Sequence, residues 1–156
     1  MKFFFILNLY SSFKKIIKNQ KMIESGNISL IKLIRKISKN NKCYIILLDK
    51  NLEVTRSNIR TLSIDRVTFY VVPFRLNLKI SNFFTNIKSL FFLLKNLIIS
   101  SHCSVYLDRG NIVLACFLKI FTKKNIIIRI LGITSQIENK LLKKNLYGYL
   151  WRRIWK

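Results

Sequence analysis

The chain has 156 residues, 51% of them apolar, and 29 Lys and Arg against 6 Asp and Glu, a net charge of +23. That length suits a single domain over residues 1–156 and scarcely two, and the apolar share is enough for a substantial core. Three widely spaced cysteines, Cys43, Cys103 and Cys116, argue against a disulfide framework or a zinc site and read as buried thiols in a reducing compartment.

Phe3 to Leu9 reads as a buried first strand. It lacks a small-residue cleavage site, and Lys14 and Lys15 follow at once, so it is not a signal peptide. A loop carrying Lys14, Lys15, Lys18 and Lys21 leads to Glu24-Ser25-Gly26-Asn27. A helix follows from Ile28 to Lys39, with Leu30, Ile31, Leu33, Ile34 and Ile37 on one side. Cys43 to Leu48 is an unbroken apolar strand closed by Asp49, which completes a crossover unit over residues 3 to 49.

Ile59, Leu62 and Ile64 leave residues 50 to 66 open between a short edge strand and a loop. Val67 to Val72 is the third strand, stopped by Pro73, which cannot donate to a sheet ladder. Phe83, Phe84, Ile87, Leu90, Phe91, Leu94, Leu97 and Ile98 recur at helical spacing in a long helix. Lys88, Lys95, Asn86 and Asn96 interrupt that stretch, so it reads as a soluble helix and not a membrane span. His102 has no nearby ligand partner and is assigned no role. Ser104 to Leu107 and Ile126 to Leu131 are the fourth and fifth strands, joined by an apolar helix, and a last helix starts near Ser135. Strands alternating with helices predict an α/β fold, a doubly wound, mainly parallel, Rossmann-like sheet.

Ligands of such sheets bind outside the carboxyl ends of the strands. Two polar turns fall there. In Asp108-Arg109-Gly110, an arginine can grip phosphate or carboxylate, and Gly110 relieves the turn. In Gly132-Ile133-Thr134, the glycine permits a tight turn or close ligand approach, and Thr134 or Ser135 can cap the last helix. Gly26 opens a third turn, where a ligand could meet a positive helix end or Asn27 could simply cap it. Asp108 is equally a helix cap, and the natural partner of Arg129 if the fourth and fifth strands are neighbours. In the tail, Trp151 and Trp155 flank Arg152 and Arg153, a pattern that suits a membrane interface or an unseen packing surface. No nucleophile elbow, Walker loop, metal-ligand cluster or close carboxylate pair is present, so no catalytic residue, metal or cofactor is assigned.

The charge suits an anionic partner, whether lipid, phosphorylated substrate or nucleic acid. It equally suits a compositional bias, since Lys, Asn and Ile crowd the whole chain. Nucleic acid is the weakest of these partners because no recognition motif accompanies the charge.

The order of elements resembles the amino-terminal half of a GT-B glycosyltransferase of the family 4 type. The Gly26 loop takes the place of that family's glycine-bearing first loop. CYIILLDK resembles its second strand, FYVVPF its third, SVYLDRGNIVLACFLKIF its fourth strand and helix, and NIIIRILGIT its fifth strand and glycine turn. The resemblance implies an acceptor-side domain, incomplete at its carboxyl end and inactive alone. Its expected partners are a sugar acceptor, a lipid-linked one included, and a nucleotide-sugar donor held by a second domain. Where the family often has His-Gly this chain has Leu131-Gly132, so no catalytic role is carried over. The implied location is the cytoplasm, with peripheral contact at the inner face of the membrane. The alternative is a non-catalytic basic module on an anionic membrane surface.

Overall fold

The computed structural model describes residues 1–26, 28–55, 58–74, 80–100, 102–108, 112–122 and 124–129. In chain order the elements are β1 (Lys2–Asn8), α1 (Ser11–Asn19), α2 (Ile28–Ser38), β2 (Lys42–Asp49), β3 (Arg60–Ile64), β4 (Val67–Pro73), α3 (Ile80–Ile99), β5 (Cys103–Asp108), α4 (Ile112–Thr122) and β6 (Asn125–Arg129).

The strands form one six-stranded sheet in the order β3-β4-β2-β1-β5-β6. All neighbours are parallel except β3 and β4. This is an α/β, Rossmann-like sheet. Its continuous apolar strands follow from burial on both faces. Along β1 the side chains alternate: Phe5 and Leu7 join Phe13 and Ile16 of α1 and Ile31 and Ile34 of α2, while Phe4 and Ile6 join Leu93 and Leu97 of α3 and Leu118 of α4. Each fully buried side chain of this size contributes ~1.5–3 kcal/mol.

The segment read as a lysine loop is helical. Phe13 and Ile16 of α1 are buried and Ile17 packs against the same core, while Lys14, Lys15 and Lys18 point outward and Gln20 closes the helix in the left-handed region. Nine residues give a stripe of only three apolar positions, and four nearby lysines mask it in the composition. In α2 the expected stripe is confirmed at Leu30, Ile31 and Ile34, but Leu33 is 39% exposed.

The open question over residues 50 to 66 resolves as an antiparallel edge strand, β3, paired to β4 through the turn Asp65-Arg66. Both turn residues have positive φ, 48° and 65°, the geometry whose twist matches a two-residue hairpin. Asp65 also accepts a hydrogen bond from the Met22 amide at 3.3 Å, which ties the segment after α1 to the amino edge of the sheet.

Helix α3 differs most from expectation. The sheet buries Ser89, Leu93 and Leu97, whereas Phe84, Ile87, Phe91 and Ile98 of the expected stripe are exposed. The helix is apolar nearly all round, so periodicity alone does not select its inward face. Beneath it runs an aromatic row: Phe4 stacks on Tyr44 at 4.8 Å, Tyr44 on Tyr70 at 6.3 Å, and Tyr70 meets Phe92 edge-on at 5.1 Å. Among the described residues no helix is long and apolar enough to cross a membrane.

Candidate functional site

β1 is flanked by β2 on one side and β5 on the other, so successive crossovers leave it in opposite directions. At such a reversal the connections part and open a crevice at the carboxyl ends of the strands. The residues there come from three places. Asn8 ends β1 and Tyr10 follows it, Asp108 ends β5, and the Ser25-Gly26 turn precedes α2.

The Tyr10 hydroxyl donates to Oδ2 of Asp108, and Nδ2 of Asn8 donates to the Tyr10 hydroxyl at 3.4 Å. Asp108 is 6% exposed, so its carboxylate depends on such bonds for what water would otherwise supply. The strand register sets Asp108 beside Arg129, as expected for neighbouring strands, although the Arg129 side chain lies outside the described residues. Two buried polar atoms in this region, Oδ1 of Asn8 and Oγ of Ser25, have no partner among the described residues. Buried polar atoms are normally satisfied, so these two can accept a bond from a bound hydroxyl or water.

Gly26 has φ +69°, and a Cβ there would stand 3.1 Å from Cβ of Ser12. Both facts favour glycine. Its absent side chain lets the turn before α2 close onto the first turn of α1, two residues beyond Tyr10. Packing thus accounts for this glycine without a ligand. Asn27, the expected cap, lies outside the described residues, as do Arg109, Gly110, Gly132 and Thr134, and Trp151, Arg152, Arg153 and Trp155 of the tail.

On the far side of β1, Asp49 closes β2 and organises the loop after it. Its carboxylate accepts from the amides of Glu53, Val54 and Thr55 and from the Thr55 hydroxyl, at 2.9–3.3 Å. Lys14 pairs with Glu53 across to α1. The hydrogen bond from Lys14, then that from Asn51, then the Lys14 charge hold the exposed Glu53 carboxyl below its usual range.

Two cavities of about 470 and 440 Å³ open at the opposite, amino edge of the sheet. His102 and Met1 line both, Lys124 the first, and Lys2 and Lys42 the second. Lys2 and Lys124 are already engaged there by Ser100. The carboxyl edge is the better candidate because the chain reversal and the two unsatisfied atoms coincide on it.

Neither described cysteine suits nucleophilic chemistry. Burial pushes the Cys43 thiol up to about 11, and it raises that of Cys103 against the opposing charges of Lys124 and Lys2. Among the described residues no group of His, Cys, Asp and Glu could hold a metal ion. Both cysteines stand at the amino ends of their strands, away from the crevice, whose described polar side chains are Asn8, Tyr10, Ser25 and Asp108. Sequence reasoning found Asp108 and missed Asn8 and Tyr10. The visible signal was the polar break Asn8-Leu9-Tyr10 closing an otherwise apolar first strand. No protein-family model, curated protein or solved structure matches this chain.

Proposed function

We propose that this chain is the acceptor-side half of a GT-B glycosyltransferase of the family 4 type. It would bind a sugar acceptor at the β1/β5 crevice and act with a nucleotide-sugar donor held by a second α/β domain. The observation that carries the reading is the polar set at the strand reversal: Tyr10 on Asp108, with the side-chain amide oxygen of Asn8 unsatisfied and, in the turn before α2, the Ser25 hydroxyl unsatisfied as well. A sugar hydroxyl both donates and accepts, so it can satisfy these groups where an apolar ligand would leave them buried and unpaired. The alternation of strands and helices, together with the sequence resemblance of the segments around β2, β4, β5 and β6, supports the family.

The role of this half is binding and orientation. Asn8 and Ser25 would hold acceptor hydroxyls, and the Tyr10–Asp108 bond would keep the two sides of the crevice at a set separation. The chain alone should not transfer sugar. Saturation-transfer NMR on the purified chain with octyl glucoside, octyl galactoside and octyl mannoside, each below its micelle concentration, tests the reading. At least one should show sugar-ring saturation that Asn8→Ala removes, whereas UDP-glucose should show none. Ring saturation that Asn8→Ala leaves unchanged, or that no glycoside shows, would sink the proposal.

A further inference from the structure

The exposed side of α3 is unusual for a crossover helix. Ile87, Phe91, Ile98 and Ile99 are 45%, 67%, 59% and 68% exposed. Lys88 and Lys95 are exposed on the same side. At 100° per residue these six positions fall within an arc of about 120°, opposite the buried Ser89, Leu93 and Leu97. Helix α4 packs beside α3 in the same layer. Lys124, just beyond α4, donates to the carbonyl of Ser100, just beyond α3, at 2.8 Å, and so holds the two helix ends together. Ile120 and Phe121 at the end of α4 are 62% and 57% exposed. Exposed apolar side chains gathered on one side of a helix mark an interaction surface.

Charge identifies the occupant. Residues 66 to 107 contain no Asp or Glu, and α4 has none either. The ion pairs of Glu24 and Glu53 are with α1 and α2, on the other face of the sheet. The α3/α4 layer is therefore cationic as well as apolar. Nucleic acid would meet the lysines but leave Phe91 and the isoleucines without a partner. The interfacial layer of an anionic bilayer takes both: the aromatic and aliphatic side chains enter the acyl boundary, and the lysine heads reach lipid phosphates.

We infer that the outward face of α3, together with the end of α4, is a docking surface for an anionic membrane. The helix lies in the plane of the interface and does not cross it. This surface is distinct from the crevice at the β1/β5 edge, and the inference stands whether or not the transferase reading does. It also assigns membrane contact to the body of the domain, where the sequence pointed to the tail.

Co-sedimentation of the full chain with vesicles provides the test. Vesicles of phosphatidylcholine with phosphatidylglycerol should bind it, less so at high salt, and pure phosphatidylcholine should bind it weakly. Phe91→Ser with Ile98→Ser should lower the affinity roughly tenfold or more, and so should Lys88→Glu with Lys95→Glu. Trp151→Ser with Trp155→Ser should leave most of the binding. Both lysines are exposed, so their exchange remains decisive if the serine variant fails to fold by circular dichroism. Binding unchanged in the lysine variant would overturn the inference, as would binding lost only in the tail variant. So would a lipid-free dimer, seen by analytical ultracentrifugation, that Phe91→Ser converts to monomer, since a second copy would then be the occupant.

Discussion

Tyr10 and Asp108 are 98 residues apart in the chain, yet a hydrogen bond from the tyrosine hydroxyl joins them across the point where the strand order reverses. Asp108 has further interactions, so its replacement should cost more than the loss of the tyrosine hydroxyl alone. Tyr10→Phe should destabilise the fold by about 1.5–3 kcal/mol in urea unfolding, the range for a hydrogen bond to a charged group. A double-mutant cycle with Asp108→Ala, which removes the acceptor, should return a measurable coupling. Additive single effects would show that the two side chains do not depend on each other.

Gly26→Ala should be poorly tolerated. The new Cβ meets Ser12 at 3.1 Å, and the +69° φ costs a β-carbon a further ~1–2 kcal/mol. The expected outcome is a lower melting temperature. Adding Ser12→Gly should recover little, because it removes the contact but not the backbone strain and adds a glycine to α1. Full recovery would mean that the contact is the whole cause.

Asp49 is 2% exposed and holds three amides and a hydroxyl. Asp49→Ala strands buried donors, so a loss of about 3 kcal/mol or more is expected. Asp49→Asn keeps an acceptor oxygen and should cost less. Equal losses for the two variants would assign the effect to charge rather than to capping of the loop.

The Cys43 thiol carries a pH signature. Burial raises it from 9.0 to about 11, so the folded state favours the neutral form. Its contribution to stability is whole below pH 9 and is lost as pH climbs from 9 towards 11, where the unfolded thiol ionises first. The wild type should therefore lose stability over that window relative to Cys43→Ala, measured by denaturant unfolding at each pH. Parallel profiles would contradict the burial. Alkylation by iodoacetamide near pH 8 should be slow in the native protein and fast once it is unfolded.

β1, β2, β4 and β5 were legible because burial writes them as continuous apolar runs; β6 is as apolar, although its Ile127 is 54% exposed. The crossover from β5 through α4 to β6 was legible in the strand–helix–strand order, and the pairing of the two strands then met the condition for setting Asp108 beside Arg129. Helix α1 was obscured because Phe13, Ile16 and Ile17 sit among lysines. β3 was ambiguous because its hairpin uses Asp65 and Arg66 at positive φ, with no glycine to mark the turn.

By itself the sequence determined the class of fold, an alternation of strands and helices, because side-chain periodicity and turn chemistry are local. Only the tertiary structure decided what meets across the sheet. Tyr10 reaches Asp108 because strand order, a non-local property, sets β1 beside β5. Likewise α3 turns Leu93 and Leu97 inward and leaves Phe91 and Ile98 outside, because the sheet selects one face of a helix on which apolar residues stand on both sides.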